Sequence, residues 1–144
     1  MQGKQNQHRA DRGVAVVEAA MTLSLVLLLL FSVMEMGRFI QAQEVVTNAA
    51  REGARLAVTP LPGTSTLPDS SQIEGRVETF VDSAGLSGAT VTVTQDTTTY
   101  GTVDTALTRV RIDLPYSLLT GIPWFNALEV TLTGEAVMRN ETSP

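Results

Sequence analysis

The sequence predicts an α+β protein in which one long N-terminal helix packs on a three-stranded antiparallel sheet beside a short second helix. Three observations predict it. An uncharged apolar run lies near the N-terminus, apolar residues recur at helical spacing beyond that run, and apolar and polar residues alternate in the C-terminal part. The first two predict a membrane-spanning half and an amphipathic half of the same helix. The third predicts strands with one buried face.

The spanning half is predicted at residues 14–34. Ala19–Met34 comprises sixteen residues without a charge. With Val14–Glu18 added, the helix reaches about 30 Å, which is close to the thickness of a bilayer hydrocarbon core. Glu18 lies inside this segment, where an ionised carboxylate is costly. Glu18 is therefore a candidate functional residue.

Residues 1–13 precede the span as a Gln-rich, basic leader. Residues 1–12 show no apolar periodicity and are predicted to be disordered. The positive charges of Lys4, Arg9 and Arg12 predict a cytoplasmic N-terminus and an extracytoplasmic C-terminal domain. A conventional secretory signal would end in small residues, whereas Met34-Glu35-Met36 follows the apolar run. We therefore expect an uncleaved span or a cut on its cytoplasmic side.

Residues 35–58 are predicted to extend the helix with one apolar and one polar stripe. Thr59-Pro60 ends it, because a residue before proline is pushed out of helical geometry. Small residues at the distal end would let another layer approach the helix backbone, so they are predicted to pack on the sheet. The predicted apolar stripe comprises Met36, Phe39, Val46, Ala50, Gly53 and Ala57, of which Ala50, Gly53 and Ala57 form the packing face.

Residues 59–144 are predicted to form the outer α+β domain. After a loop at Leu61–Pro68, a second helix starts near Asp69–Ser71 with a capping box of Ser71 and Glu74, and it stops at Gly85. Its predicted apolar face comprises Ile73, Val77, Phe80, Val81 and Ala84.

Three stretches with period two then predict strands, at residues 89–94, 106–114 and 128–139. The Thr-rich segment Asp96–Thr105 is predicted to be an exposed connection, and Pro115 to close the second strand. Gly121–Phe125 is predicted to be a turn. Tyr116, Trp124 and Phe125 are predicted to form a lid over the open end of the sheet, with a binding patch as the alternative.

The composition argues against most kinds of catalytic, metal and disulfide site. There is no cysteine, and the one histidine, His8, lies in the leader, so disulfides, thiolate sites and histidine-based catalytic or metal sites are not expected. Residues 60–144 carry ten carboxylates against four arginines, which argues against nucleic acid as a partner. We expect no enzyme activity, cofactor, metal or small-molecule substrate. An exported enzyme with a signal anchor is the alternative that these absences disfavour.

Two stretches carry a resemblance to a known family. The basic leader, Gly13, four apolar residues and Glu18 resemble the class III signal of type IV pilins and pseudopilins, in which a prepilin peptidase cuts after the glycine. Residues 47–55, TNAAREGAR, resemble the segment that follows the membrane helix in TadE-like proteins, which are minor pilins or pseudopilins of the tight-adherence (Tad/Flp) pilus system. Residues 132–141 resemble the closing strand of that family.

The resemblance implies a pilin-like fold and a structural role in assembling a Tad/Flp adhesion pilus or its secretion apparatus. It implies processing between Gly13 and Val14, and pairing of Glu18 with the N-terminal amine of an adjacent subunit. The implied partners are other pilin subunits, the Tad machinery, the prepilin peptidase and lipid of the bacterial inner membrane, which the chain would cross once. The alternative is a single-span envelope protein whose outer domain binds a partner without entering a filament.

Overall fold

A computed structural model describes residues 2–100, 103–118 and 128–140, with side chains described for 13–99, 105–118 and 128–140. Its elements confirm the predicted α+β class: a long N-terminal helix, a short second helix and a three-stranded antiparallel sheet. Backbone contacts divide the chain into two compact units, Met1–Arg38 and Phe39–Pro144. The elements are α1 (Gln2–Ala57), α2 (Ser70–Ser83), β1 (Thr90–Tyr100), β2 (Val103–Leu118) and β3 (Leu128–Arg139).

The first unit consists of the N-terminal part of α1. Every residue from 13 to 30 is exposed, including Leu28 at 62%. The helix begins at Gln2, so the prediction that residues 1–12 are disordered is wrong. Nucleation is the costly step of helix formation, and a helix already nucleated in the apolar run extends cheaply through Gln, Arg and Ala.

The second unit has its core between the outer half of α1, α2 and one face of the sheet. Met36, which was predicted to join the apolar stripe of α1, is 59% exposed and lies in the first unit. The buried side chains of the core include Ala42, Val46, Ala49, Ala50, Ala54 and Ala57 of α1, Ile73, Val77 and Val81 of α2, and Val110, Ile112, Leu114 and Leu132 of the sheet.

Helix α2 begins at a different cap from the predicted one. Asp69 Oδ1 accepts a hydrogen bond from the Gln72 backbone N–H at 2.8 Å, and Gln72 Oε1 accepts one from the Asp69 N–H at 3.2 Å. This pair has capping-box spacing two residues before the predicted Ser71–Glu74 pair, and the Ser71 hydroxyl is itself bonded to Asp69. The helix ends at the predicted position, where Gly85 has a φ of 77°.

The sheet has the order β1-β2-β3, with Val93 opposite Val110 and Ile112 opposite Gly134. β1 continues to Tyr100 and β2 begins at Val103, so the predicted exposed connection at 96–105 is mostly strand. The β-branched threonines of this segment favour extended backbone over a loop.

Pro115 does not close β2, which runs to Leu118. The Asn140 N–H donates to Ala106 O, so even-numbered residues of β2 bond to β3 and odd-numbered residues face β1. The pairing of β1 with β2 ends at Thr90 opposite Asp113. Beyond that point the β1 side of β2 has no partner strand, so the missing N–H of Pro115 costs no hydrogen bond between strands.

Tyr116 belongs to the core and not to a lid. It is 8% exposed, and its ring packs edge-on against Phe39 with the ring centroids 6.0 Å apart. The other two residues of the predicted lid, Trp124 and Phe125, and the predicted turn at 121–125 lie outside the described residues.

Candidate functional site on the long helix

Gly13, Val14 and Glu18 lie on an exposed stretch of α1. Val14 and Glu18 are four residues apart, which places them on one face of the helix about one turn apart. An ideal Cβ built on Gly13 meets no atom within 4 Å. Packing among the described residues therefore does not require glycine at position 13.

The hydroxyl groups of the apolar half are bonded within the helix. Thr22 donates to the Glu18 carbonyl at 2.9 Å, Ser24 to the Ala20 carbonyl at 2.8 Å, and Ser32 to the Leu28 carbonyl at 2.8 Å. Glu18 is the remaining polar side chain of residues 14–34, and its carboxylate has no bonding partner among the described residues. In hydrocarbon it would be the one polar side chain that needs a partner from another molecule.

The predicted packing residues of α1 lie on its buried side. Ala50 is 0% and Ala57 is 1% exposed. An ideal Cβ on Gly53 would lie 2.6 Å from Val77 Cγ2 of α2 and 3.2 Å from Val110 Cγ1 of β2. Gly53 thus sits where α1 meets both the second helix and the central strand, and a side chain there would displace one of them.

A second close approach, which was not predicted, joins α1 to β3. An ideal Cβ on Gly134 would lie 2.6 Å from the backbone oxygen of Val46, so the strand meets the helix backbone directly. Beside it, Gln43 Nε2 donates to Thr133 O at 3.0 Å. A glycine inside the alternating pattern of residues 128–139 was the available indication, because glycine within a strand marks close backbone approach.

Comparison with known protein families shows which family the sequence of this helix resembles. Residues 13–55 match the family described as TadE-like protein. Over these residues the chain is similar to TadE-like proteins. The match confirms the predicted resemblance, begins at Gly13, and ends two residues before α1 does. No curated protein and no solved structure matches the chain significantly.

The similarity over residues 13–55 suggests involvement in the Tad pilus system. The same segment supplies the described helix that is long and apolar enough to cross a membrane, with a mean hydropathy of 2.5 in its most apolar window. Both findings indicate a single-pass membrane protein of a Tad system.

Charged groups on the outer face of the sheet neutralise one another. Arg111 Nε donates to Asp113 Oδ2 at 2.9 Å, the Thr133 hydroxyl donates to Asp113 Oδ1 at 2.6 Å, and Arg109 bonds to Glu135. The Arg111 hydrogen bond, followed by that of Thr133, lowers the pKa of the Asp113 carboxyl. A carboxylate kept ionised in this way is a poor general acid, and the exposed pairs contribute little to stability.

Acidic groups elsewhere in the described residues do not assemble a site. No group of three or more histidine, aspartate or glutamate residues is placed to hold a metal ion in that part of the chain. On the polar stripe of α1, the Arg55 hydrogen bond lowers the pKa of the Glu52 carboxyl.

Proposed function

We propose that this protein is a minor pilin or pseudopilin that supports assembly of a Tad/Flp-type pilus or its secretion apparatus, with a structural and not a catalytic role. One observation carries the proposal. Within the family-matched segment, an exposed apolar helix face contains one polar side chain without a partner in the described chain, Glu18. A face of this kind is suited to lipid and to neighbouring apolar helices.

Processing of the leader is the first part of the proposal. A prepilin peptidase would cut after Gly13 on the cytoplasmic side and leave Val14 as the new N-terminus with the apolar helix retained. The exposure of Gly13, and the open space around it, support access to this bond. Mass spectrometry of the protein from its native host measures the cut, and Gly13→Asp should block it. A mature start beyond Met34 would contradict the proposal.

The orientation of the span is the second part. The lysine and arginine residues of the leader precede the apolar run, so we propose a cytoplasmic N-terminus and an outer unit beyond the membrane. A reporter enzyme that is active only outside the cytoplasm, fused after the last residue, should be active. Activity confined to a cytoplasmic reporter at the same position would reverse the orientation.

Pairing of Glu18 is the third part. The new amine on Val14 lies about one turn from Glu18 in its own helix, and a neighbouring subunit displaced along the helix axis could present its amine to this carboxylate. Two charges that are each costly in a low-dielectric helix bundle become tolerable as a pair, and the pair fixes the axial offset between subunits. The alternative is that Glu18 reaches the interface and has no task.

Glu18 variants test the function directly. We expect Glu18→Ala and Glu18→Gln to insert and to be processed normally, yet to be lost from complexes with the other Tad subunits. Glu18→Asp should be partly impaired because its side chain is shorter. Glu44→Gln, which neutralises an exposed carboxylate on the outer half of the same helix, is the matched control and should assemble normally.

The readouts are co-purification with Tad subunits and filament incorporation, each measured beside the cleavage state. Normal incorporation of processed Glu18→Ala would show that the carboxylate is only an interfacial residue. A chain that binds Tad subunits but never enters a filament would instead be a single-span envelope protein that acts through its outer domain.

A further inference from the structure

The exposed surface of α1 changes from apolar to polar between residues 40 and 41. Between residues 32 and 40 the exposed side chains are mostly apolar, with Val33 at 72%, Met36 at 59% and Ile40 at 50% exposure. From residue 41 to residue 57 every exposed side chain is polar, and these residues are Gln41, Glu44, Asn48, Arg51 and Arg55. The apolar surface therefore continues about 9 Å beyond Met34, where the predicted span ends.

Val33, Met36 and Ile40 lie on one side of the helix, because they are three and four residues apart. We call these three residues the 33–40 surface. Glu44 is the next residue at this spacing, and it is polar and exposed. The same side of α1 is therefore apolar as far as Ile40 and polar from Glu44.

The fold of the described residues does not use the 33–40 surface. Its three side chains belong neither to the hydrophobic core nor to the residues packed against the core. An ideal Cβ on Gly37, which lies between Met36 and Ile40 in the sequence, meets no atom within 4 Å. The neighbouring Phe39 packs instead against Tyr116. Within the described chain, the 33–40 surface is therefore open to contact with another molecule.

The two charged residues of this stretch do not interrupt the apolar surface. Glu35 is 5% exposed, and its Oε2 accepts a hydrogen bond from Arg38 Nη1 at 3.3 Å. The Glu35 carboxylate is therefore shielded from the surroundings of the helix and has an opposite charge beside it. Arg38 is partly exposed, and its long side chain can carry the guanidinium to the water side of a membrane interface.

Three observations favour lipid as the molecule that covers the 33–40 surface. The surface continues, along the same helix, the segment that is long and apolar enough to cross a membrane. Its side chains are large, whereas helices that pack together within a membrane usually meet through small residues. The change to polar side chains beyond Ile40 is the change expected where a helix leaves the bilayer.

We propose that the 33–40 surface lies against lipid, so that this side of α1 leaves the bilayer between Ile40 and Glu44 and not at Met34. The inference depends on the membrane span and not on pilus assembly. A helix from Val14 to Ile40 is about 40 Å long, which matches a hydrocarbon core together with its two headgroup layers, about 40–45 Å. Met36 and Ile40 contact the upper acyl chains and headgroups at one end of the span.

The test uses the full chain, purified and placed alone in vesicles of phosphatidylcholine and phosphatidylglycerol. Because the chain contains no cysteine, a nitroxide spin label can be attached to one introduced cysteine at a time. Oxygen, which concentrates in hydrocarbon, and a water-soluble nickel chelate both speed the relaxation of the label. A label in lipid meets mainly oxygen, a label in water meets mainly nickel, and a label inside protein meets little of either.

We expect the ratio of oxygen to nickel accessibility to fall along the helix. It should be highest for Leu28→Cys, stay well above the value in water for Met36→Cys and Ile40→Cys, and reach that value for Glu44→Cys. Glu44→Cys is the matched control, because it lies on the same side one turn further along. The value of water at Ile40→Cys would overturn the proposal. Low accessibility to both reagents there would mean that a second copy covers the surface, which would also overturn it.

Photocrosslinking tests the unsubstituted chain, so that the result does not depend on labelled variants. A phospholipid with a photoreactive diazirine in the upper part of its acyl chain should form adducts at Met36 and Ile40, and none from Glu44 to Arg51. Mass spectrometry of peptide fragments locates the adducts. Adducts that stop at Met34 would overturn the proposal.

The reference position separates this inference from the membrane span. The value of water at Leu28→Cys would contradict the span itself and the inference with it. The value of lipid at Leu28→Cys with that of water at Ile40→Cys would contradict only the lipid contact of the 33–40 surface. The Glu18 variants test assembly independently, so either result at Ile40 leaves the proposed function in place.

Discussion

The two halves of α1 belong to one helix but differ in the size of their apolar side chains. Between residues 14 and 34, large aliphatic side chains are exposed, with Leu28 at 62% and Leu30 at 61%. Between residues 39 and 57, the buried side chains are mostly alanine, with Ala49 and Ala50 at 0% exposure. The first half exposes large side chains to its surroundings. The second half has small buried side chains, so the backbone of other elements can come close.

The difference teaches that helical periodicity alone does not say what a helix face packs against. Large side chains exposed all round the helix suit lipid, where the gain comes from apolar area removed from water. Alanine and glycine bury less apolar surface, but they permit the close approach seen between Val46 O and Gly134. The size of the apolar residues, more than their spacing, separates the membrane half from the protein-packed half.

The largest expected loss of folding stability lies at the contact between α1 and β3. Gly134→Leu should lower the free energy of unfolding of the outer unit by about 3 kcal/mol, because its side chain meets Val46 backbone, which cannot rotate away. Denaturant unfolding of the full chain in detergent measures it. Gly75→Ala in α2, with open space around the glycine, is the control and should be neutral or slightly stabilising. Equal stability of Gly134→Leu and the unsubstituted protein would contradict the close approach.

The membrane half should respond to charge and not to size. Leu27→Arg near the middle of the span should disfavour insertion by about 2.5–3.5 kcal/mol, yet leave unfolding of the outer unit unchanged. Leu27→Ala is the control for lost bulk, and it should insert nearly normally. Fractionation of membranes and an insertion reporter give the result. A Leu27→Arg chain that inserts at the normal level would mean that this face does not meet hydrocarbon.

The junction of α1, α2 and β2 should be less costly to overpack than the contact with β3. Gly53→Leu should lower the free energy of unfolding by about 1–3 kcal/mol, because its neighbours are the side chains of Val77 and Val110, which can shift. Glu52→Gln, one residue away on the polar stripe, should have little effect. Cellular subunit levels and denaturant unfolding are the measurements. Equal tolerance at positions 52 and 53 would show that α1 packs by another face.

The smallest effect is expected from acid. The pKa of Asp113 is lowered in the folded protein by Arg111 and Thr133, so its contribution to stability is present above the unfolded-state pKa and is lost as the pH falls through the folded-state pKa. The denaturation midpoint of the outer unit should therefore fall below about pH 5, and less steeply in Asp113→Asn. The helicity of the span should not change over this range. An identical acid dependence in the variant would exclude a role for this carboxylate.

The sequence predicted the features that depend on one periodicity at a time. The exposed apolar half of α1, the polar stripe of its outer half, the stop at Gly85 and the faces of β2 and β3 all follow from residue type and spacing. Ala50, Gly53 and Ala57 were singled out for their size, and all three lie on the buried side of α1. The resemblance at residues 47–55 added a family that spacing alone does not identify.

The features that were missed depend on partners far apart in the sequence. The role of Gly134 depends on its contact with the backbone of Val46. Gln43 likewise bonds to Thr133, ninety residues away in the sequence. Pro115 is compatible with a strand because β1 has already ended on that side. Composition suggested a loop at residues 96–105, where pairing of β1 with β2 produced strand.

The hydroxyls of Thr22, Ser24 and Ser32 bear on how the helix could leave the bilayer. Each donates to a carbonyl one turn earlier, so its partner moves with it wherever the helix goes. Extraction from lipid into a protein bundle therefore breaks none of these bonds and requires no water to replace them. Apart from Glu18, the segment has no polar side chain that must change its hydrogen-bond partner on moving from lipid to a protein bundle. The free energy of that transfer therefore depends on the contacts that its aliphatic side chains make in each environment.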